Sequence, residues 1–199
     1  MDAIVTQALA KWPNVPHCYG WLALDARGNW RMRNEYAQQH NLPGDKIVHP
    51  ALLGFINRNY GYDEQGRWYF QNGPQRVYVD LEVAPYIAHT DPMHGFVLQT
   101  EQPLQNIAAA YLSDQGKLFL QGDDKIALLD DRDMAQCLSQ LYLHDVAITD
   151  EQLLTWLAEG GNNDHLTLQC TEKKVPVHYI MDAAVVATFN FIRLPRSSN

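Results

Sequence analysis

Cysteine is scarce: Cys18, Cys137 and Cys170 are three in 199 residues, widely separated and without a CxxC pair. That excludes a disulfide framework and fits a reducing cytoplasm. Basic side chains are in deficit. Fifteen Lys and Arg stand against 23 Asp and Glu, a net charge of −8, so the cationic surface that phosphate-backbone binding requires is missing and nucleic acid is not an expected partner. No segment approaches the roughly 18 uninterrupted apolar residues of a membrane span. The opening MDAIVTQALAKW has neither a basic region nor a small-residue cleavage site, so neither a signal peptide nor a membrane partner is expected.

The common catalytic signatures are absent as well. Ser113, Ser139, Ser197 and Ser198 have no GxSxG context, which leaves a hydrolase elbow unsupported. Gly160-Gly161-Asn162-Asn163 follows a helical pattern instead of opening one, so it suits a C-cap and loop and does not present helix N-terminal amides to a phosphate. The sequence therefore calls for no catalytic residue and no cofactor. It predicts a binding module in preference to an enzyme, with the ligand, partner and oligomeric state unspecified.

What is present is an ordinary globular composition, 46% hydrophobic and 19% charged, in a chain long enough for one large domain or two small ones. Within it one paragraph recurs. WYFQNGPQRVYVDLEVAP from Trp68 aligns without gaps on LTLQCTEKKVPVHYIMDA from Leu166, an offset of 98. Only Gln71/Gln169, Val77/Val175 and Val79/Val177 are identical, but the apolar pattern of both strands is kept.

Further elements fall into the same scheme. Ile4, Val5, Ala8, Leu9 and Trp12 mark one helical face, closed by Pro13. Asp25-Ala26-Arg27-Gly28 between Trp21–Leu24 and Trp30–Met32 predicts a β-hairpin, and its turn signature recurs at Asp63–Gly66 and Ser113–Gly116. HPALLGFINRN at 49–59 matches TDEQLLTWLAEGG at 149–161 with an offset of 101. The second of these helices has Thr149 as N-cap and Gln152 three residues on, while Pro50 suits the start of the first. The first hairpins differ by 88, so the second copy holds 13 extra residues, DRDMAQCLSQLYL at 131–143, where Met134, Cys137, Leu138 and Leu141 mark another helical face. Cys137 on that face is expected to be a packed thiol. The predicted class is α+β: two tandem divergent repeats, each hairpin, helix, hairpin with mostly antiparallel sheet. Residues 1–20 form an N-terminal helix and linker, 21–100 the first repeat, and 101–199 the second with the C-terminal tail.

The stretch NRNYGYDEQGRWYFQNGPQRVYVDLEVAPYI, preceded by WLALDARGNWRM and HPALLGFI, resembles an uncharacterised bacterial family of unknown function. It is similar too to a second such family, with a turn-Gly hairpin, a short helix, and a hairpin ending in an acidic strand followed by Ala/Pro. The resemblance covers residues 21–88 best. It implies tandem α+β subdomains and a role in ligand sensing or signal transduction, and brings no catalytic residues.

Candidate contacts concentrate in the first repeat. Gln71-Asn72-Gly73-Pro74-Gln75-Arg76 joins a turn-forming Asn-Gly to a dense set of donors and acceptors suited to a carboxylate, a phosphate or a peptide backbone. The same atoms can instead close their own hairpin. The matching 170–174 turn, Cys-Thr-Glu-Lys-Lys, is plain. If Tyr69 and Tyr78 face outward while Trp68, Phe70, Val77 and Val79 face inward, the tyrosines with Arg58 and Arg76 form a ligand-binding groove; Arg58 can otherwise pair with Asp80 or Glu82. The metal-like alternative is His89, Asp91 and His94, which in a metal-dependent hydrolase would leave an open position for water; an inter-repeat turn explains the same residues. An assembly protein with an aromatic interface is a third reading. His165 and His178 suit strand positions, and Arg193 with Arg196 a solvated tail.

Overall fold

A computed structural model describes residues 1–161, 165–170 and 173–197. The expected turn positions Thr171 and Glu172, the loop residues Asn162 and Asn163, and Ser198 lie outside the described residues. The chain forms two compact units. One comprises Met1–Pro85 together with the segment from Asn190 onward; the other is Tyr86–Phe189.

The first unit runs α1 (Ala3–Lys11), β1 (Cys18–Leu24), β2 (Trp30–Met32), α2 (Glu35–Gln39), β3 (Asp45–Lys46), α3 (Pro50–Arg58), β4 (Tyr60–Tyr62), β5 (Trp68–Asn72) and β6 (Gln75–Leu81). The strands form one sheet in the order β3-β2-β1-β6-β5-β4. Neighbours are antiparallel except the central pair, where β1 and β6 run parallel with Leu22 opposite Val79 and Leu24 opposite Leu81. The predicted hairpin turns are present: Gly28 and Gly66 donate to the carbonyls of Asp25 and Asp63 at 3.1 and 2.9 Å. Gly66 is required for a second reason. Its φ is +75°, and a Cβ there would lie 2.4 Å from the Asn190 carbonyl oxygen, so only glycine lets the returning C-terminal segment approach.

Helix α3 packs on one face of this sheet through an edge contact of Phe55 with Phe70 at 5.3 Å, and Trp30 donates its indole N–H to Asn57 at 2.9 Å. Of the predicted inward face of α1, Val5 is buried and Ala8 and Leu9 are half-buried, whereas Ile4 and Trp12 are exposed. Arg58 does not pair with Asp80 or Glu82. It pairs with Asp2 at 3.2 Å, tying the start of α1 to the end of α3.

The second unit contains β7 (Tyr86–Asp91), β8 (Gly95–Leu98), β9 (Ile107–Ser113), β10 (Leu118–Gly122), β11 (Lys125–Leu129), α4 (Met134–Leu138), β12 (Leu141–Leu143), β13 (Val146–Ala147), α5 (Asp150–Ala158), β14 (Leu166–Cys170), β15 (Lys173–Ile180) and α6 (Val185–Thr188). Its sheet has the order β13-β12-β14-β15-β9-β10-β11-β7-β8, with parallel contacts at β15/β9 and β11/β7. Strands β7 and β8, which fall within the expected first repeat, pair in this sheet instead. The predicted helical face at 131–143 is shorter than its periodicity suggested: a 3-10 turn at Asp131–Asp133 leads into α4, and Leu141 belongs to β12. Thr149 and Gln152 form the expected capping box on α5. Cys137 is buried, and burial pushes its thiol up to about 12, so it is a packed, inert thiol. Among the described residues no helix is long and apolar enough to cross a membrane.

Candidate functional site

Alternation along β5 and β6 puts Trp68, Phe70, Val77 and Val79 on the face opposite Tyr69 and Tyr78, as the pattern predicts. The tyrosine face is not open, however. Tyr78 is completely buried and Tyr69 nearly so. The two rings sit side by side in cross-strand register, with centroids 5.9 Å apart. Tyr19 from the adjacent β1 stacks on Tyr78 at 4.7 Å and 8°, and His17 meets it edge-on at 5.6 Å. The outward assignment of Tyr69 and Tyr78 is thereby corrected: the segment leading into β1 lays its own rings over them.

Two guanidiniums complete this cluster. Arg67 lies 4.8 Å from the Tyr78 ring centroid and Arg76 4.5 Å from that of Tyr69, within cation–π range. Arg67 is also fixed by Asp63, at 2.8 Å, and the Tyr78 hydroxyl donates to the same carboxylate at 3.0 Å. Burial pushes the Asp63 carboxyl up, but the hydrogen bonds from Arg67 and Tyr78 outweigh it and hold the group below the usual range. Burial raises the Tyr78 hydroxyl. Arg76 differs from Arg67: it forms no salt bridge with a described residue and remains half-exposed.

The other predicted contacts separate from this centre. Gln71 is fully buried, donating to the Gly73 carbonyl at 2.9 Å, so it closes its own hairpin. Gln75 donates to the Pro16 carbonyl at 2.9 Å, and Asn72 is exposed at the tip. Arg58, on the α3 side of the sheet, does not join the tyrosines.

His17 supplies a pH signature. Desolvation, reinforced by the positive charges of Arg76 and Arg67, lowers its pKa from the ordinary 6.5. A depressed imidazole binds fewer protons folded than unfolded, so its stabilisation is complete above 6.5 and is lost as pH falls through the folded value. His17→Gln is expected to flatten the fall in melting temperature between about pH 7 and pH 5. An unchanged slope would show that the imidazole is not desolvated.

The metal alternative does not assemble. His94 Nδ1 lies 2.9 Å from Asp91, whose carboxylate also accepts the Met93 and His94 amides in a local turn. His89 instead lies 3.3 Å from the fully buried Asp130, which Arg132 grips through Nε and Nη2. No group of three or more His, Cys, Asp or Glu among the described residues is arranged to hold a metal.

A feature not anticipated from the sequence lies on the same face as Tyr78, because Asp80 is two residues further along β6. Arg33 meets the buried Asp80 at 2.6 Å and Arg196 meets its other oxygen at 2.9 Å. The Leu81 amide donates to the Arg193 carbonyl, and Arg193 Nη2 hydrogen-bonds the Glu82 carbonyl. The Arg193/Arg196 tail is exposed, as expected, but it is also anchored: a buried carboxylate and free strand-end carbonyls recruit both side chains. Beside them is a cavity of about 380 Å³.

The model of a family described as protein of unknown function (DUF2946) matches residues 1–196. No curated protein matches the chain. Two solved structures are similar. A DUF1285 family protein from Silicibacter pomeroyi DSS-3 is 14% identical, the match covering 89% of this chain and 96% of that one, with a TM-score of 0.46. A DUF1285 family protein from Shewanella baltica OS155 is 13% identical over 58% of this chain and 88% of that one, with a TM-score of 0.40.

Proposed function

Because the chain belongs to that family of unknown function, membership supplies no chemistry, and we propose from the site itself that the protein is a cytoplasmic ligand-binding module with a role in sensing, recognising its ligand through the first unit. One observation carries this reading: Arg76 rests on the Tyr69 ring, half-exposed, without a carboxylate partner among the described residues, while its neighbour Arg67 is neutralised by Asp63. A guanidinium preorganised on an aromatic platform and lacking an anion suits a carboxylate-bearing ligand. Arg76, held on its Tyr69 platform, and the tip residues Asn72 and Gln75 form the proposed recognition surface, with the buried Tyr78 supporting Tyr69 from within.

We further propose that the units are divergent copies of one ancestral repeat. Support comes from register. Leu22 opposite Val79 in the parallel pair β1/β6 corresponds to Ala110 opposite Val177 in β9/β15, at the sequence offsets of 88 and 98. Tyr69 opposite Tyr78 likewise corresponds to Thr167 opposite Pro176. The second unit thus has Thr, Pro and Lys174 where the first has two tyrosines and Arg76, which favours recognition by the first unit.

A thermal-shift screen of carboxylates and other small anions tests the reading, since a ligand at 100 times its dissociation constant stabilises by about 2.7 kcal/mol. The expected result is a stabilising carboxylate whose effect Arg76→Ala removes. A screen in which no stabilising carboxylate loses its effect in Arg76→Ala would refute this assignment.

A further inference from the structure

The carboxyl ends of the parallel strands β1 and β6 open into the 380 Å³ cavity, a volume suited to a small molecule. Its walls carry Asp25, Arg31, Arg33, Asp80, Glu82 and Arg193. Three carboxylates face three guanidiniums, but their hydrogen bonds do not balance.

The carboxylates are committed. Asp25 takes Arg31 Nε at 2.7 Å and the Asn29 amide at 2.8 Å. Asp80 is divided between Arg33 and Arg196, and Glu82 accepts the Ala26 amide at 2.9 Å. The guanidiniums retain capacity, since each offers five N–H donors. Arg31 is held through Nε and through Nη1, which donates to the Gly44 carbonyl at 3.2 Å. Arg193 is held by Nε and Nη2 on the carbonyls of Leu81 and Glu82. Arg31 Nη2 and Arg193 Nη1 have no hydrogen-bond partner among the described residues, and Arg33 Nη2 has only a long contact of 3.5 Å to Asn41. The protein therefore leaves guanidinium donors unspent around a solvent-open cavity, where among Asp25, Asp80 and Glu82 only Glu82 Oε1 accepts no hydrogen bond from a described residue.

From this imbalance we infer that the cavity is a binding site for the oxoanion group, carboxylate or phosphate, of a small molecule, held by Arg31 and Arg193 with Arg33 behind them. Planar guanidinium forks match such groups in bidentate geometry. The committed carboxylates keep the arginines in place and set a limit on how much negative charge the occupant carries. This site is separate from the Arg76 surface and does not depend on it.

The test is isothermal titration of the full-length chain with inorganic phosphate and with succinate, at ionic strength matched by sodium chloride. At least one probe is expected to bind, and which one binds distinguishes the two oxoanions. Arg193→Gln and Arg31→Lys are each expected to weaken that binding roughly ten-fold or more, the scale of one charge-assisted hydrogen bond. Arg31→Lys keeps a cation beside Asp25 while withdrawing the free Nη2 donors, so it reports on binding even if a neutral substitution fails to fold. In Arg76→Ala the component of the titration that Arg193→Gln weakens should persist. Dissociation constants weaker than about 10 mM for both probes, or affinity unchanged in both arginine variants, would overturn the proposal.

Discussion

Asp80→Ala is expected to destabilise the protein by about 3–5 kcal/mol, because it strips the counter-charge from a guanidinium that cannot reach water. The side chains of Asp80 and Arg33 are only 5% and 10% exposed. Arg196, the second partner, is 58% exposed and can return to solvent; Arg33 cannot. At about 2–4 °C per kcal/mol for a chain of this length, the melting temperature should fall by roughly 6–20 °C. The charge explanation makes a second demand. Replacing both partners with apolar side chains, Asp80→Leu with Arg33→Met, should recover most of the loss, since a buried ion pair is often matched by packed hydrocarbon of similar volume. A double variant no better than Asp80→Ala would show that geometry, not an orphaned charge, is at stake.

The second large effect belongs to Phe119. It is wholly buried on β10, with Tyr111 of β9 and Leu128 of β11 as its cross-strand neighbours. Phe119→Ala removes the ring from a site fixed by sheet register on both sides, which limits collapse of the surroundings, and should cost about 3–5 kcal/mol in denaturant unfolding. Phe119→Leu keeps most of the volume and should cost less than about 1.5 kcal/mol. Equal losses in the two variants would mean that volume does not govern the site.

Local chemistry was legible in the sequence. The Asp-x-x-Gly turns at Asp25 and Asp63, the Thr149 capping box and the Asn72-Gly73 hairpin tip each depend on a few adjacent residues, and each is where the pattern placed it. What escaped was tertiary. Period-two alternation correctly grouped Tyr69 with Tyr78, but it says only which residues share a face, not what covers it; the cover is His17 and Tyr19, more than 40 residues upstream. The helical spacing through Leu141 continued past the end of α4 because one apolar residue serves a helix face and a strand face equally well. Parallel pairing of β1 with β6 has no signature in either strand. Without it, the meeting of residues near 31, 80 and 193 that builds the cavity was invisible.

One connection alters the order of events during synthesis. The first unit is discontinuous, its sequence interrupted by Tyr86–Phe189 and resumed at Asn190. When Leu81 and Asp80 emerge from the ribosome, the carbonyl that receives the Leu81 amide and the second arginine of Asp80 lie more than 110 codons downstream. At roughly 5–20 residues per second the nascent sheet waits several seconds or longer for them. During that interval the parallel pair can form, but its carboxyl end remains unsealed, and translation must pass through an entire second unit before the first is complete.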